Sequence, residues 1–210
     1  MDALIRYFER PGPENTDAVL ELVNKRALER GVTHVVVASN TGNTGLKAAE
    51  VFKGTNVKVV VVTLQAGTRG LPELSEENRR RLEELGVKIV RGTHAFGGVG
   101  MSTARWPPPP QPGTPPPSPP IMPPYIPPIG ELIARVLRLF GSGFKVCLEI
   151  TVMAADAGVI PVDRDVIAVA GTHKGADTAL LLKPAYSTNF FDIDVKEIIA
   201  KPYSRPVERF

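Results

Sequence analysis

The chain has 210 residues, of which 43% are hydrophobic and 22% charged. That is enough apolar residue for one domain with a full core, and it excludes a disordered or fibrous chain. The net charge of +3 and the lack of any Lys/Arg cluster interleaved with aromatics give no footprint for nucleic acid. No apolar run reaches the roughly 18 residues of a membrane span. The start Met1-Asp2-Ala3-Leu4 lacks a signal-peptide pattern, so a soluble cytoplasmic protein is expected. Cys147 is the only cysteine and sits in the apolar run Phe144–Ile150, where it reads as a small core residue.

In chain order, Glu14–Gly31 predicts a helix. Asn15 or Thr16 caps it, Gly31 ends it, and Leu20, Val23, Ala27 and Leu28 share its apolar face. Val32–Ala38 reads as a first strand, Thr44–Lys53 as a helix and Val57–Thr63 as a second strand. Ser75 caps a helix running to Leu85, with Glu76 and Glu77 in its first turn. Its Arg79-Arg80-Arg81 run is flanked by glutamates and reads as a solvated face. Val87–Val90 is a short third strand. These strands are continuous apolar runs, the mark of strands buried on both faces of a parallel sheet between helices.

The chain then changes character. Between Pro107 and Pro128 lie 14 of the 21 prolines. No helix or central strand forms from such a stretch, and it reads as a surface insertion of polyproline II or irregular chain spanning up to roughly 70 Å. Ile129, Leu132, Ile133, Val136, Leu137 and Phe140 follow helical spacing. Phe144–Ala157 continues as a nearly all-apolar, buried helix. Val166–Ala170 is a fourth strand. Thr178–Leu182 and Ile193–Ala200 follow as strands with no helix between them, so at least one is expected to be antiparallel at the sheet edge. One α/β domain covers residues 1–210, with residues 107–128 inserted in it.

Three loops of glycine and small polar residues follow strands: Ser39–Gly45, Gly92–Gly98 and Gly171–Thr178. Open α/β sheets bind ligands at the carboxyl ends of their strands. In the first loop, Ser39, Asn40, Thr41, Gly42, Asn43 and Thr44 lead into a helix whose first N–H groups lack intrahelical partners, a setting that suits phosphate; the plain alternative is an N-cap and a tight turn. In the third, Gly171, Thr172, His173, Lys174, Gly175, Asp177 and Thr178 combine glycine freedom with a cation. Asp177 there either accepts from a sugar hydroxyl or caps the next turn. Gly92-Thr93-His94 repeats a tripeptide of the third loop, and the glycine-rich stretch through Arg105 has the composition of a mobile lid. Glu149 and Asp156, seven residues apart on one apolar helix, are either a paired acid and base or separately hydrogen-bonded structural groups. His34 reads as structural. No metal-ligand spacing or nucleophile elbow is present, so no metal is expected.

Several of these residues together resemble a small archaeal-type family of stand-alone proteins similar to the C-terminal α/β domain of pyruvate kinase. They are Tyr7-Phe8-Glu9 with Pro11–Thr16, the Ser39–Thr44 loop, Gly92-Thr93-His94, Glu149-Ile150 with Met153-Ala154 and Asp156–Gly158, and Gly171-Thr172 with Gly175–Ala179. The resemblance implies a three-layer α/β/α sandwich with a mostly parallel sheet and an antiparallel edge. It implies that the Ser39 and Gly171 loops form one phosphate site, where strand order reverses. It also implies a flavin mononucleotide-like or sugar phosphate ligand, and subunit contacts that make a homo-oligomer. The catalytic barrel of pyruvate kinase has no counterpart in these residues, so that activity is not expected. Gly100–Arg105 and Leu64–Leu71 depart from the family pattern, and no ligand contact carries over to them.

Three functions follow as expectations. The first is a binding domain for a phosphorylated small molecule, FMN-like or a sugar phosphate. The second is a flavin-dependent or phosphosubstrate enzyme using His94, His173, Lys174, Glu149 or Asp156 as proton handlers. The third is an interaction protein acting through the proline-rich stretch.

Overall fold

A computed structural model of the chain describes residues 3–68, 72–98, 100, 113 and 127–204. The proline-rich insertion lies outside the described residues, apart from Gly113 and Pro127-Pro128. The rest is a three-layer α/β/α arrangement. Seven strands form one sheet: β1 (Arg6–Phe8), β2 (His34–Ala38), β3 (Lys58–Thr63), β4 (Lys88–Arg91), β5 (Val166–Ala170), β6 (Thr178–Lys183) and β7 (Asp194–Pro202). Their order across the sheet is β1-β7-β6-β5-β2-β3-β4. Only β6 opposes the others: it is antiparallel to β5 and to β7, while β1 pairs parallel with β7. The antiparallel pairing therefore falls toward one side of the sheet, with β7 and β1 beyond it. The three-residue β1 adds an outermost strand that no apolar run announces.

The alternation of side chains along each strand divides the core in two. Val35, Val37, Val59, Val61, Ile167 and Val169 face one layer of helices. That layer holds α1 (Thr16–Arg30), α2 (Asn43–Val51) and α3 (Glu76–Glu84). Val36, Val60, Val62, Ala168, Leu180 and Leu182 face the other layer. It contains α4 (Ile129–Leu137) and α5 (Ser142–Asp156), joined by a 3₁₀ turn over Arg138–Phe140. The buried strands are apolar in both registers because each register has its own helices to cover it.

Local signals explain the helix ends. Ser75 Oγ accepts the N–H of Asn78, capping α3. Gly31 closes α1 in the left-handed conformation at φ 64°. One predicted face differs in detail: Val19, Leu20, Val23 and Ala27 are buried on α1, but Leu28 is 66% exposed. Val19 and Thr16 complete the buried stripe in its place. On the outer side of α1, Arg26 and Arg30 both hold the Glu197 carboxylate of β7, tying helix to sheet through side chains far apart in the chain.

Gly45 lies on the α2 face that meets the sheet, where a Cβ would lie 2.5 Å from Val61 Cγ2 and 3.3 Å from Leu82 Cδ2. The helix approaches β3 that closely only because glycine has no side chain. Gly45→Ala is expected to lower stability in urea unfolding by about 1–3 kcal/mol through overpacking, despite the better helix propensity of alanine.

Candidate functional site

The site is set by the parallel pairing of β2 with β5, in register at Val35–Ile167, Val36–Ala168 and Val37–Val169. From β2 the chain moves outward to β3 and β4, and β5 lies on the opposite side of β2. This is the point where strand order reverses, the place beyond the carboxyl ends of the strands at which open α/β sheets bind ligands. Continuing the register by two residues sets Ser39 beside Gly171. The two loops singled out in the sequence are thus neighbours. The Gly92 loop leaves β4, the edge strand, two positions away.

The first loop is built by its own polar groups and by α3. Ser39 Oγ accepts the N–H of Gly45 at 3.1 Å. Thr63 Oγ1 donates to the carbonyl of Asn40 at 3.2 Å. Asn78 of α3 donates to the Thr41 carbonyl at 2.8 Å and to Asn43 Oδ1 at 3.1 Å. Gly42 sits at φ 92°, and a Cβ there would lie 2.7 Å from Leu74. Ser39, Gly42 and Asn43 therefore shape the turn. The N–H groups of Asn43 and Thr44, at the head of α2, have no acceptor among the described residues, and neither hydroxyl of Thr41 and Thr44 has a partner there. They sit at the positive end of the α2 dipole.

The loop after β5 is built in the same way. Asp177 is fully buried. Its carboxylate accepts the N–H of Thr172 at 3.0 Å and the Thr178 hydroxyl at 2.7 Å, and its N–H donates to the Ala170 carbonyl. Of the two roles open to Asp177, the structure shows the one that holds the loop. Gly175, at φ 69°, passes so close to α1 that a Cβ would lie 2.5 Å from Pro13 Cα. Beside it, Thr16 Oγ1 accepts the N–H of Ala176 at 3.0 Å. His173 and Lys174 project from the loop and are exposed. His173 is the only described non-glycine residue with positive φ, at 67°, a conformation that costs a side-chain-bearing residue free energy.

Of the five residues considered as proton handlers, His173 and Lys174 lie on this loop and the other three lie elsewhere. Glu149 is buried on α5, ion-paired with Lys145 one turn earlier, and accepts the N–H of Phe96 at 3.3 Å. Burial pushes the Lys145 ammonium below its ordinary range, and the Glu149 carboxylate partly offsets that shift. Lys145 also lies 5.6 Å from the centre of the Phe96 ring. The Glu149 cluster thus anchors the loop after β4 to α5, with Phe96 in the core. The stretch read as a lid is fastened at this point, and its continuation through residues 101–105 lies outside the described residues. His94 and Asp156 do share a cleft, of about 440 Å³, lined also by Arg91, Thr93, Met153 and Ser187. Asp156 accepts the N–H of Ser187 there at 2.9 Å. Glu149 is absent from that cleft, so it and Asp156 occupy separate surroundings. Cys147 is fully buried, its Sγ 3.4 Å from the Ala168 carbonyl; burial raises its thiol pKa well above the ordinary range. Among the described residues no group of histidine, cysteine, aspartate and glutamate is arranged to hold a metal ion, and no helix is long and apolar enough to cross a membrane.

Asn78 and Lys145 support the loops without having been singled out in the sequence, and Thr16 was marked there as a helix cap, not as a loop support. Lys145 was open to detection, since it stands four residues before Glu149. Thr16 and Asn78 bond to loops far along the chain, and no local spacing marks them.

No family model matches the sequence. Among solved structures, a Cryptosporidium parvum pyruvate kinase in complex with ADP is similar over 89% of this chain, at 14% identity and a TM-score of 0.38. The chain spans 24% of the length of that protein. The likeness is a distant structural resemblance.

Two outcomes follow from the site geometry. Lys145→Met strands a buried carboxylate and is expected to cost about 3–5 kcal/mol in urea unfolding, whereas Lys145→Met combined with Glu149→Leu recovers most of that loss. His173→Gly relieves the left-handed backbone and is expected to raise the melting temperature by a few degrees, consistent with a gain of about 1 kcal/mol; calorimetry checks this directly.

Proposed function

We propose that the crevice between the β2 and β5 loops binds the phosphate of a phosphorylated small molecule, with FMN-like compounds and sugar phosphates as the ligand classes. The observation that carries this reading is the β2–β5 register, which brings two polar loops together at the reversal of strand order. The N–H groups of Asn43 and Thr44 and the hydroxyls of Thr41, Thr44 and Thr172 are the donors. Lys174 supplies a full positive charge that no carboxylate of the described residues neutralises. Ser39, Asn40, Gly42, Gly171, Gly175, Asp177 and Thr178 hold the two loops in shape, and the strained, exposed His173 lies beside Lys174 at the rim. Ligand recognition is favoured over catalysis because the proton-handling candidates are divided between this rim, the Glu149 anchor and the His94 cleft.

Isothermal titration with inorganic phosphate, glucose 6-phosphate, FMN and riboflavin tests the reading. Binding of at least one phosphate-bearing compound is expected, and riboflavin is expected to bind more weakly than FMN. Lys174→Ala should weaken the phosphate-bearing ligand about 10-fold, the worth of one charge-assisted contact, with unfolding unchanged. If none of the phosphate compounds binds, or if riboflavin and FMN bind alike and Lys174→Ala changes nothing, the crevice is not a phosphate site.

A further inference from the structure

The cleft that His94 and Asp156 share is built by chain segments with no part in the β2 and β5 loops. Its walls are the end of β4 with the loop beyond it and the last turn of α5. Its lining includes two buried apolar side chains, Val90 and Met153. Gly92 lines it too, and φ is not positive there, so the backbone does not require a glycine. A Cβ at this position would meet only Met153 Cε, at 3.8 Å, an ordinary contact. The fold would accept a side chain at Gly92, and its absence keeps the cleft open over Met153. The volume of about 440 Å³ falls in the span of small-molecule sites, roughly 300–1,000 Å³.

Opposite charges line this cleft without meeting. Asp156 accepts the Ser187 N–H through Oδ1 at 2.9 Å, which fixes the carboxylate, and its Oδ2 has no partner among the described residues. Arg91 brings a guanidinium with several donors. Its one ion pair among the described residues is with Glu73, at 3.4 Å, and Glu73 does not line the cleft. Neither Arg91 nor His94 pairs with Asp156, although all three line the same space.

We propose that this cleft binds a free α-amino acid with an apolar side chain. Its ammonium group meets Asp156, its carboxylate meets Arg91 and His94, and its side chain lies over Met153 and Val90. The charges select this class. A simple anion would be set against the Asp156 carboxylate, and a simple cation against Arg91. An uncharged apolar molecule would strip water from both charges and pair neither. A molecule that carries both charges on one carbon answers both walls, and an apolar side chain matches the lining between them. The open space over Gly92 lets that carbon come close to the backbone. The cleft shares no residue with the proposed phosphate site, so the two readings stand or fall separately.

Isothermal titration of the full chain with leucine and methionine tests the proposal. Two analogues of leucine accompany them: isocaproate, which lacks the ammonium group, and isoamylamine, which lacks the carboxylate. At least one amino acid is expected to bind, and each analogue should bind at least about 10-fold more weakly than leucine, the worth of one charge-assisted contact. Asp156→Asn keeps an acceptor for the Ser187 N–H but removes the charge. It should erase the preference for leucine over isocaproate while isocaproate itself binds no worse. Gly92→Ala places a methyl group over Met153 and should weaken the amino acid about 10-fold through overpacking of the bound ligand, with urea unfolding no less stable than in the wild type. The proposal is overturned if neither amino acid binds, or if an analogue binds as tightly as leucine. It is also overturned if Asp156→Asn keeps the wild-type preference, or if Gly92→Ala binds as the wild type does.

Discussion

Val35, Val36 and Val37 of β2 lie beside Ile167, Ala168 and Val169 of β5, and all six are buried. No hairpin makes that contact, because parallel neighbours need a crossover. The described elements between the two strands are arranged to permit it. The chain goes out through β3 and β4 with α2 and α3 on one face, then returns through α4 and α5 on the other. The central pairing thereby creates both cores at once, one for each side-chain register. It also brings the two polar loops side by side, since the loops that leave the two strands start at the same level on the same side of the sheet.

Once the strands are paired, the loops above them need little further help to hold their shape. Each uses a polar side chain from its own segment as an internal brace: Ser39 in the first and Asp177 in the second. Each is then fastened to a helix, the first to α3 through Asn78 and the second to α1 through Thr16. Buried polar groups of this kind are satisfied within the loop itself, which avoids the cost of burying an unpaired donor or carboxylate. What remains open at the surface is a small set of N–H groups, hydroxyls and one lysine. A preorganised set of donors of that kind binds an anion without first reordering the backbone.

The second helical layer works by different means. Lys145 and Glu149 pair within α5 and reach across to the backbone of Phe96, so an ionic contact fixes the path of the chain after β4. Such a pair is a poor source of net stability but a strong selector of one arrangement, because either partner alone would be a buried charge. The aromatic contacts around it, Phe96 with Phe190 at 5.4 Å and Phe140 with Phe144 at 5.0 Å, extend the anchoring to the connection before β7 and to the end of α4.

Much of this was legible in the residues. Continuous valine runs called for a parallel sheet covered on both faces, and Ser75, Gly31 and the apolar spacing of α5 placed helices within a residue or two of where they lie. The glycine and threonine stretches marked loops at the carboxyl ends of β2 and β5, because backbone freedom and hydroxyl donors are local properties of a residue. Other features had no local trace. β1 is three residues long with Arg6 and Tyr7 exposed, and it is a strand only because β7 offers it an edge. Asp177 was legible as an acceptor but not as a buried one, since its burial comes from β5 and β6 closing around it. Glu149 and Asp156 share a helix, yet only the packing of the chain after β4 puts one against Lys145 and Phe96 and the other in an open cleft. By itself the sequence determined the central strands, most of the helices and the chemistry available in each loop, all of which follow from neighbours within a turn or a strand. The tertiary structure alone decided which loops meet, which polar groups are consumed in bracing them and which are left without a partner among the described residues, because those outcomes depend on contacts between residues far apart in the chain.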